Sequence, residues 1–217
     1  MLSARNLKHY FSFPINPVIK ILTFSDLIAM SGFALTAPIF AVYLNDNIVG
    51  GSLEVVGFAT MIYLVVKSVS QLLFAEIVDK IKGERDDFWM MFLGSVGYSF
   101  IPLFYLLAKT PTDIYIIQFM YGIFSAATFP SWMALFTRHA DKDNEGMEWG
   151  IYYTATDFGG AAAAALGGYW ASQYGFHSVF ILNSVLSFIG TGFLFLIRKH
   201  AAVYRVDSLN LKAGDIK

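Results

Sequence analysis

Six long apolar stretches, at 18–43, 54–78, 88–108, 113–137, 148–171 and 177–197, are joined by connections of no more than ten residues. A helix rises about 1.5 Å per residue and the hydrocarbon core of a bilayer is about 30 Å thick, so about 20 apolar residues cross it. Inside that core a backbone must satisfy its own N–H and C=O groups, which a helix does within one segment. The stretches are therefore expected to be six transmembrane helices of one all-α integral membrane bundle. The turn and breaker residues fall between them: Asn45-Asp46-Asn47 with Gly50-Gly51, Gly83, Pro111, the run from Asp141 to Gly146, and Gly175.

Composition agrees and narrows the classes. Residues are 56% apolar and 14% charged, against about 25% charged in soluble domains. A net charge of -1 without a basic run gives no nucleic-acid partner. The chain has no cysteine, which removes disulfides, thiolate metal sites and a cysteine nucleophile. The opening M-L-S-A-R-N-L-K-H-Y lacks a compact apolar run before a small-residue cleavage site, so no cleaved signal peptide is expected.

Lysine and arginine near the helix ends set the orientation. Arg5, Lys8 and Lys20 precede or open the first stretch; Lys80, Lys82 and Arg85 follow the second, and Arg138 and Lys142 the fourth. Arg198, Lys199, Arg205, Lys212 and Lys217 follow the sixth, while the opposite side has Lys109 alone. Both termini are expected in the cytoplasm. The expected division is a cytoplasmic segment 1–17, a bundle 18–199 and a cytoplasmic tail 200–217, in the cell (inner) membrane.

Three charges remain inside the stretches: Asp26, Lys67 and Asp157. Each costs about 2.5–3.5 kcal/mol at a helix centre on insertion scales, so each is a functional hypothesis. Lys67 precedes Asp79 by twelve residues, about 18 Å from the cytoplasmic end of its helix. Asp157 follows Glu148 by nine, about 13 Å from the same face, so the two sit near midplane. Asp26 is shallower. Lys67 pairs either inside the chain, with Asp26 or Asp157, or outside it. Asp157 alternatively bonds locally to Thr154 or Tyr153, and Asp26 alternatively reaches water at the interface.

Polar stripes at helical spacing mark two helices. Thr60, Tyr63, Lys67, Ser70 and Gln71 share one face of the second, and Gln118, Tyr121, Ser125, Thr128 and Trp132 one face of the fourth. Such faces turn to other helices or to a wet cavity, as interhelical glue or as cavity lining. The third and sixth, with Met90 to Leu93 and Phe193 to Ile197, are apolar nearly all round and suit lipid contact. In the fifth, Thr154 to Trp170 is largely Gly and Ala around Asp157, a composition that lets helix backbones approach closely. Trp89, Trp149 and Trp170 are read as interface anchors. His139 and His177 stand at loop or helix-end positions without a ligand cluster, so no metal is assigned.

The loop A-E-I-V-D-K-I-K-G-E-R, Ala75 to Arg85, resembles the signature loop of the major facilitator superfamily. Asp79 stands at its acid and Lys80 at the basic residue after it, with Gly83 one place late and Ala75 where glycine is usual. The run G-G-Y-W-A-S-Q-Y-G-F-H-S-V-F, Gly167 to Phe180, is similar to the family's second Gly-rich pattern, with His177 at its basic position. The chain resembles one half of such a transporter, and within the family its short, six-helix members. The resemblance implies one half of the major facilitator fold, a 3+3 inverted repeat. There are departures. Gln118, before Gly122, stands where many members have arginine, and Ala163-Ala164 stand where the antiporter subset has Gly-Pro. A proton-coupled drug exporter is therefore not supported.

What the resemblance implies about function is a transporter that moves a small-molecule solute by alternating access, assembled as a homodimer in the lipid bilayer. The expected solute and cavity residues are Asp26, Tyr63, Lys67, Gln71, Gln118, Tyr121, Ser125, Trp132 and Asp157. The expected gating loop holds Asp79, Lys80, Lys82, Gly83 and Arg85, with Asp79 near a helix N-terminus of the other half. The expected subunit packing face holds Gly160, Ala164, Gly167 and Gly168, and across it Lys67 of one copy meets Asp157 of the other. The alternative is a non-transporting membrane partner or scaffold, or one half of a heteromeric transporter. Enzyme activity is not expected. Gly94-Ser95-Val96-Gly97 has the wrong order for a serine nucleophile, and His-Glu-x-x-His is absent. No catalytic residue and no cofactor is assigned.

Overall fold

A computed structural model describes residues 15–81 and 83–198, and all of its long elements are helices. The first span comprises helix Pro17–Thr36, a 3₁₀ turn Ala37–Ile39 and helix Phe40–Asn47. The 3₁₀ turn falls at Pro38, which has no N–H to give to an α-helical ladder. The second span is Leu53–Lys80, the third Glu84–Tyr105 and the fourth Pro111–His139. The fifth and sixth form one continuous assignment, Glu145–Leu194, broken at Gly175.

Local sequence explains the ends. Asn16 caps the first helix by accepting the Val18 N–H at 2.9 Å, with Pro17 behind it. Ser52 accepts from Val55, and Thr110 and Asp113 form a reciprocal capping box around Pro111. Pro102 and Pro130 lie inside helices, a pattern tolerated in membrane spans because neighbours re-satisfy the freed carbonyls.

Gly175 converts five long helices into six crossings. Its φ of 79° and ψ of 165° lie in a region essentially confined to glycine. Contacts with the first span show the reversal. Gly159 lies against Leu27 and Ser31, and Gly167 against Leu35, so the fifth span runs parallel to the first. Beyond Gly175 the order inverts: the Asn183 amide donates to Thr36 Oγ1 at 3.2 Å, and Ser25 donates to the Gly190 carbonyl at 2.7 Å. The first span is thus clamped between the fifth and the sixth.

The second span lies parallel to the fourth, with Tyr63 against Tyr121 and Val66 against Gly122. The third runs antiparallel to both the fourth and the sixth. Gly94 and Gly97 admit Thr128 and Phe124 of the fourth, while Ser99 accepts at its carbonyl from Ser184 at 2.6 Å and meets Thr191 at 3.2 Å. The third and sixth spans therefore do not face lipid all round. Leu93, Phe100, Ile181, Val185 and Ile189 are exposed, but Ser95, Ser99, Asn183, Ser184, Ser187 and Thr191 form a buried hydroxyl and amide seam. Small polar residues are satisfied only across helices or by their own backbone, so they turn that face inward.

Two apolar clusters fill the bundle. At the end of the bundle that holds Pro17 and Ile197, Val18, Ile19, Leu22, Phe88, Met91, Trp132, Leu135 and Phe136 pack with Leu194 and Ile197. At the other end Tyr43, Leu44, Tyr105, Ile114, Ile117 and Phe180 pack together. The second and fifth spans are left with large exposed faces.

Candidate functional site

Within the second of those clusters the first four spans bring four rings together. Tyr63 stacks on Tyr121 with centroids 4.3 Å apart, and Phe33 lies 5.2 Å from Tyr121 and 5.6 Å from Tyr98. Tyr121 and Gln118 are buried, while Ser125 and Gln71 are half-buried. Most of the fourth-span stripe is thus spent on contacts with its neighbours. Thr128 donates to the Phe124 carbonyl beside Gly94. A groove of about 510 Å³ between the second and fourth spans is apolar, lined by Met61, Val65, Ile116 and Phe119 among others. None of the polar candidates lines it.

Asp26 has a partner that the sequence did not suggest. The Tyr152 hydroxyl donates to Asp26 Oδ2 at 2.8 Å, tying the first span to the fifth. Tyr152 is packed by Trp132 at 4.9 Å and Phe136 at 5.7 Å. Trp149 belongs to the same group, 4.2 Å from Phe136, so it packs inside the bundle as well as marking a helix end. The buried Trp132 Nε1 has no hydrogen-bond acceptor among the described residues. A tyrosine one helical face away from Asp157 was the only available signal, and tyrosines are too frequent here for it to stand out.

Lys67 and Asp157 lie apart. The Lys67 ammonium sits 5.8 Å from the Tyr63 ring and 5.4 Å from the Phe129 ring. Among the described residues it makes no ion pair, so neither Asp26 nor Asp157 of its own chain answers it. Cation–π contacts contribute about 0.5–1 kcal/mol each at exposed sites and about 2 kcal/mol when desolvated. Placing a lysine at mid-membrane costs about 2.5–3.5 kcal/mol, so two desolvated ring contacts offset a cost of that size without neutralising the charge. Asp157 is exposed and bonds neither to Thr154 nor to Tyr153; Thr156 takes the nearby carbonyls of Tyr152 and Tyr153 instead.

The small-residue helix divides into two faces. Gly167 is buried so tightly that an added Cβ would lie 2.1 Å from the Leu35 carbonyl oxygen, so this residue packs the first span of its own chain. Ala163 beside it is also buried. Gly160 is half-buried near Ala34, Ala164 is half-buried, and Gly168 has nothing within 4 Å. On the open side Thr154, Asp157, Ala161, Ala165, Gly168 and Ser172 are all exposed at spacings of three and four. Lipid gains nothing from such a face, whereas a second helix can approach it closely.

Around the connection between the second and third spans Asp79 and Arg85 are exposed, Gly83 is in extended conformation, and Lys80 pairs with Glu76 one turn back. Lys82 lies outside the described residues, as do Arg5, Lys8, Lys199 and the tail. The third and fourth spans are instead joined by charged side chains whose pairing was not expected from the sequence. Arg138 pairs with the buried Asp87, and His139 Nε2 lies 3.7 Å from Glu84. Glu148, also buried, accepts the Asp141 N–H at 2.9 Å. The Asn144 amide and the Asp143 N–H hold the Asp141 carboxyl below the usual carboxylate range. In the sequence these residues read as ordinary loop and end-turn charges.

A family model described as Major Facilitator Superfamily matches residues 22–211. The proton-coupled antiporter flippase LtaA of Staphylococcus saprophyticus is 24% identical over 65% of this chain and 35% of its own. The uncharacterized MFS-type transporter YitZ of Bacillus subtilis is 23% identical over 72% of this chain and 92% of its own. The staphyloferrin B transporter of Staphylococcus aureus is 21% identical over 78% and 40%. The crystal structure of the POT family transporter PepTSo superposes with a TM-score of 0.69 at 19% identity, covering 86% of this chain and 38% of that one. The chain thus spans about a third to two fifths of the length of LtaA, the staphyloferrin B transporter and PepTSo, and nearly all of YitZ.

Proposed function

The chain belongs to the Major Facilitator Superfamily, and from that premise we propose that it carries a small solute by alternating access, with two copies forming the complete transporter. It is a multi-pass membrane protein and its family is one of transporters, not enzymes. Transporters of this class join two six-helix halves related by an axis along the membrane normal. Two identical copies satisfy that symmetry without opposite insertion, with both termini on the cytoplasmic side of the bacterial inner membrane.

The observation that supports the pairing is the coincidence of two open faces with two unanswered charges. Lys67 lies on the half-exposed side of the second span, and Asp157 on the exposed small-residue face of the fifth. A twofold axis that brings the second span of one copy to the fifth of the other sets each lysine against an aspartate at similar depth. The paired charges offset each other's burial cost. Making and breaking the two pairs accompanies the change in access. Asp79, exposed in the last turn of the second span, then reaches a helix N-terminus of the facing copy.

Subunit counting by photobleaching in lipid nanodiscs tests the assembly directly. Two copies per particle are expected, and solely single copies overturn the reading. Lys67→Asp with Asp157→Lys is expected to restore a dimer that either single exchange weakens. Particles that form only with a different six-helix chain would instead establish a heteromeric transporter.

A further inference from the structure

We infer that Lys67 is an anion-recognition site and that the carried solute is an organic anion, whose carboxylate, sulfonate or phosphate oxygen docks on the Lys67 ammonium. The ammonium stands between the Tyr63 and Phe129 rings, 5.8 and 5.4 Å from their centroids, on the boundary of the second and fourth spans. Rings at those positions line the flanks of the charge and donate no anionic group. The intramembrane acid on the neighbouring first span, Asp26, already accepts from Tyr152. Asp157 faces outward from the fifth span. Lys67 therefore holds a positive charge that its own chain does not balance among the described residues. Its surroundings suit an anion with an apolar or aromatic body: Tyr63 and Phe129 beside it, half-buried Ser70 and Gln71 on the next turn, and half-buried Ser125 one turn before Phe129. Against the second copy's Asp157 such an anion competes for the same ammonium, which links occupancy of the site to opening of the pair.

The proposal rests on the transporter reading and is tested without knowing the natural solute. The chain has no cysteine, so Gln71→Cys places a single thiol one helical turn from Lys67. Purified full-length protein in proteoliposomes is labelled with anionic methanethiosulfonate ethylsulfonate and with cationic methanethiosulfonate ethyltrimethylammonium, each rate divided by that with free 2-mercaptoethanol. The anionic reagent is expected to be favoured by about tenfold or more, the range that a focused local charge gives. Lys67→Arg should keep the preference and Lys67→Gln should abolish it. Millimolar phenylacetate should slow the labelling several-fold while the isosteric neutral phenylacetamide leaves it unchanged. These last measurements are made with Lys67 intact and so hold even if Lys67→Gln fails to fold. A ratio at or below the free-thiol value, equal protection by acid and amide, or no labelling at all overturns the anion site. Photobleaching counts on the same proteoliposomes separate the two ideas. Dimers without anion preference sink the anion site alone, and anion preference in single copies supports the site while sinking the homodimer.

Discussion

At Gly167 a single methyl group is decisive. A Cβ there would sit 2.1 Å from the Leu35 carbonyl oxygen, and backbone cannot move aside as a side-chain tip can. Gly167→Ala is expected to destabilise by about 1–3 kcal/mol or more, the usual cost of overpacking. Gly168→Ala, with nothing within 4 Å, should be near neutral in the monomer. Thermal unfolding of the two variants in detergent checks the difference, and equal midpoints would refute the first–fifth packing. Asp26 supplies a second residue-scale prediction. Tyr152→Phe removes the donor at 2.8 Å, and interhelical bonds of this kind in membranes average about 0.6 kcal/mol, with a maximum near 1.7. A loss in that range is expected in a stability assay, and none is expected from Tyr153→Phe, whose hydroxyl makes no hydrogen bond among the described residues. Asp26, Lys67 and Asp157 were each legible in the sequence as costly charges. Their partners were not, because hydrogen bonding and ring contact depend on facing helices far apart in the chain.

At the scale of elements, the boundaries were mostly legible. The six apolar stretches return as spans within a few residues, since apolar length, proline position and capping residues act locally. Gly175 was read as a breaker between two helices, and its backbone conformation is what reverses the chain. Gly175→Ala is expected to cost about 1–3 kcal/mol because that region of backbone space is essentially closed to residues with a Cβ. A Thr36→Cys, Asn183→Cys pair, set by the bond between those side chains, should cross-link in the parent chain and more slowly with Gly175→Ala. Unchanged cross-linking would show that the turn tolerates a side chain. The seam of Ser95, Ser99, Asn183, Ser184, Ser187 and Thr191 was hidden by its apolar neighbours. Average apolarity reports that a helix enters the membrane, whereas a few hydroxyls decide which side of it meets protein.

For the molecule as a whole, orientation and assembly are the quantities to measure. Single cysteines at Lys109 and at Lys142 in intact cells should separate cleanly. Lys109→Cys is expected to react with an impermeant external thiol reagent, and Lys142→Cys only after permeabilisation. The reverse pattern would invert the topology. The second span exposes Met61, Leu64, Val65 and Val69, and the fifth exposes Phe158 and Leu166 together with Asp157. Mixed apolar and polar exposure suits a partner helix better than lipid.

The sequence by itself determined that this chain crosses a membrane six times, which superfamily it belongs to, and which three charges sit where charge is expensive. Those properties follow from hydrophobic length, from basic residues at segment ends and from short motifs, all read along the chain. The tertiary structure decided which groups answer one another among the described residues: Tyr152 for Asp26, aromatic rings for Lys67, no hydrogen bond for Asp157, and Leu35 for Gly167. Helix rotation is set by the sum of many interhelical contacts, and no local pattern carries that sum.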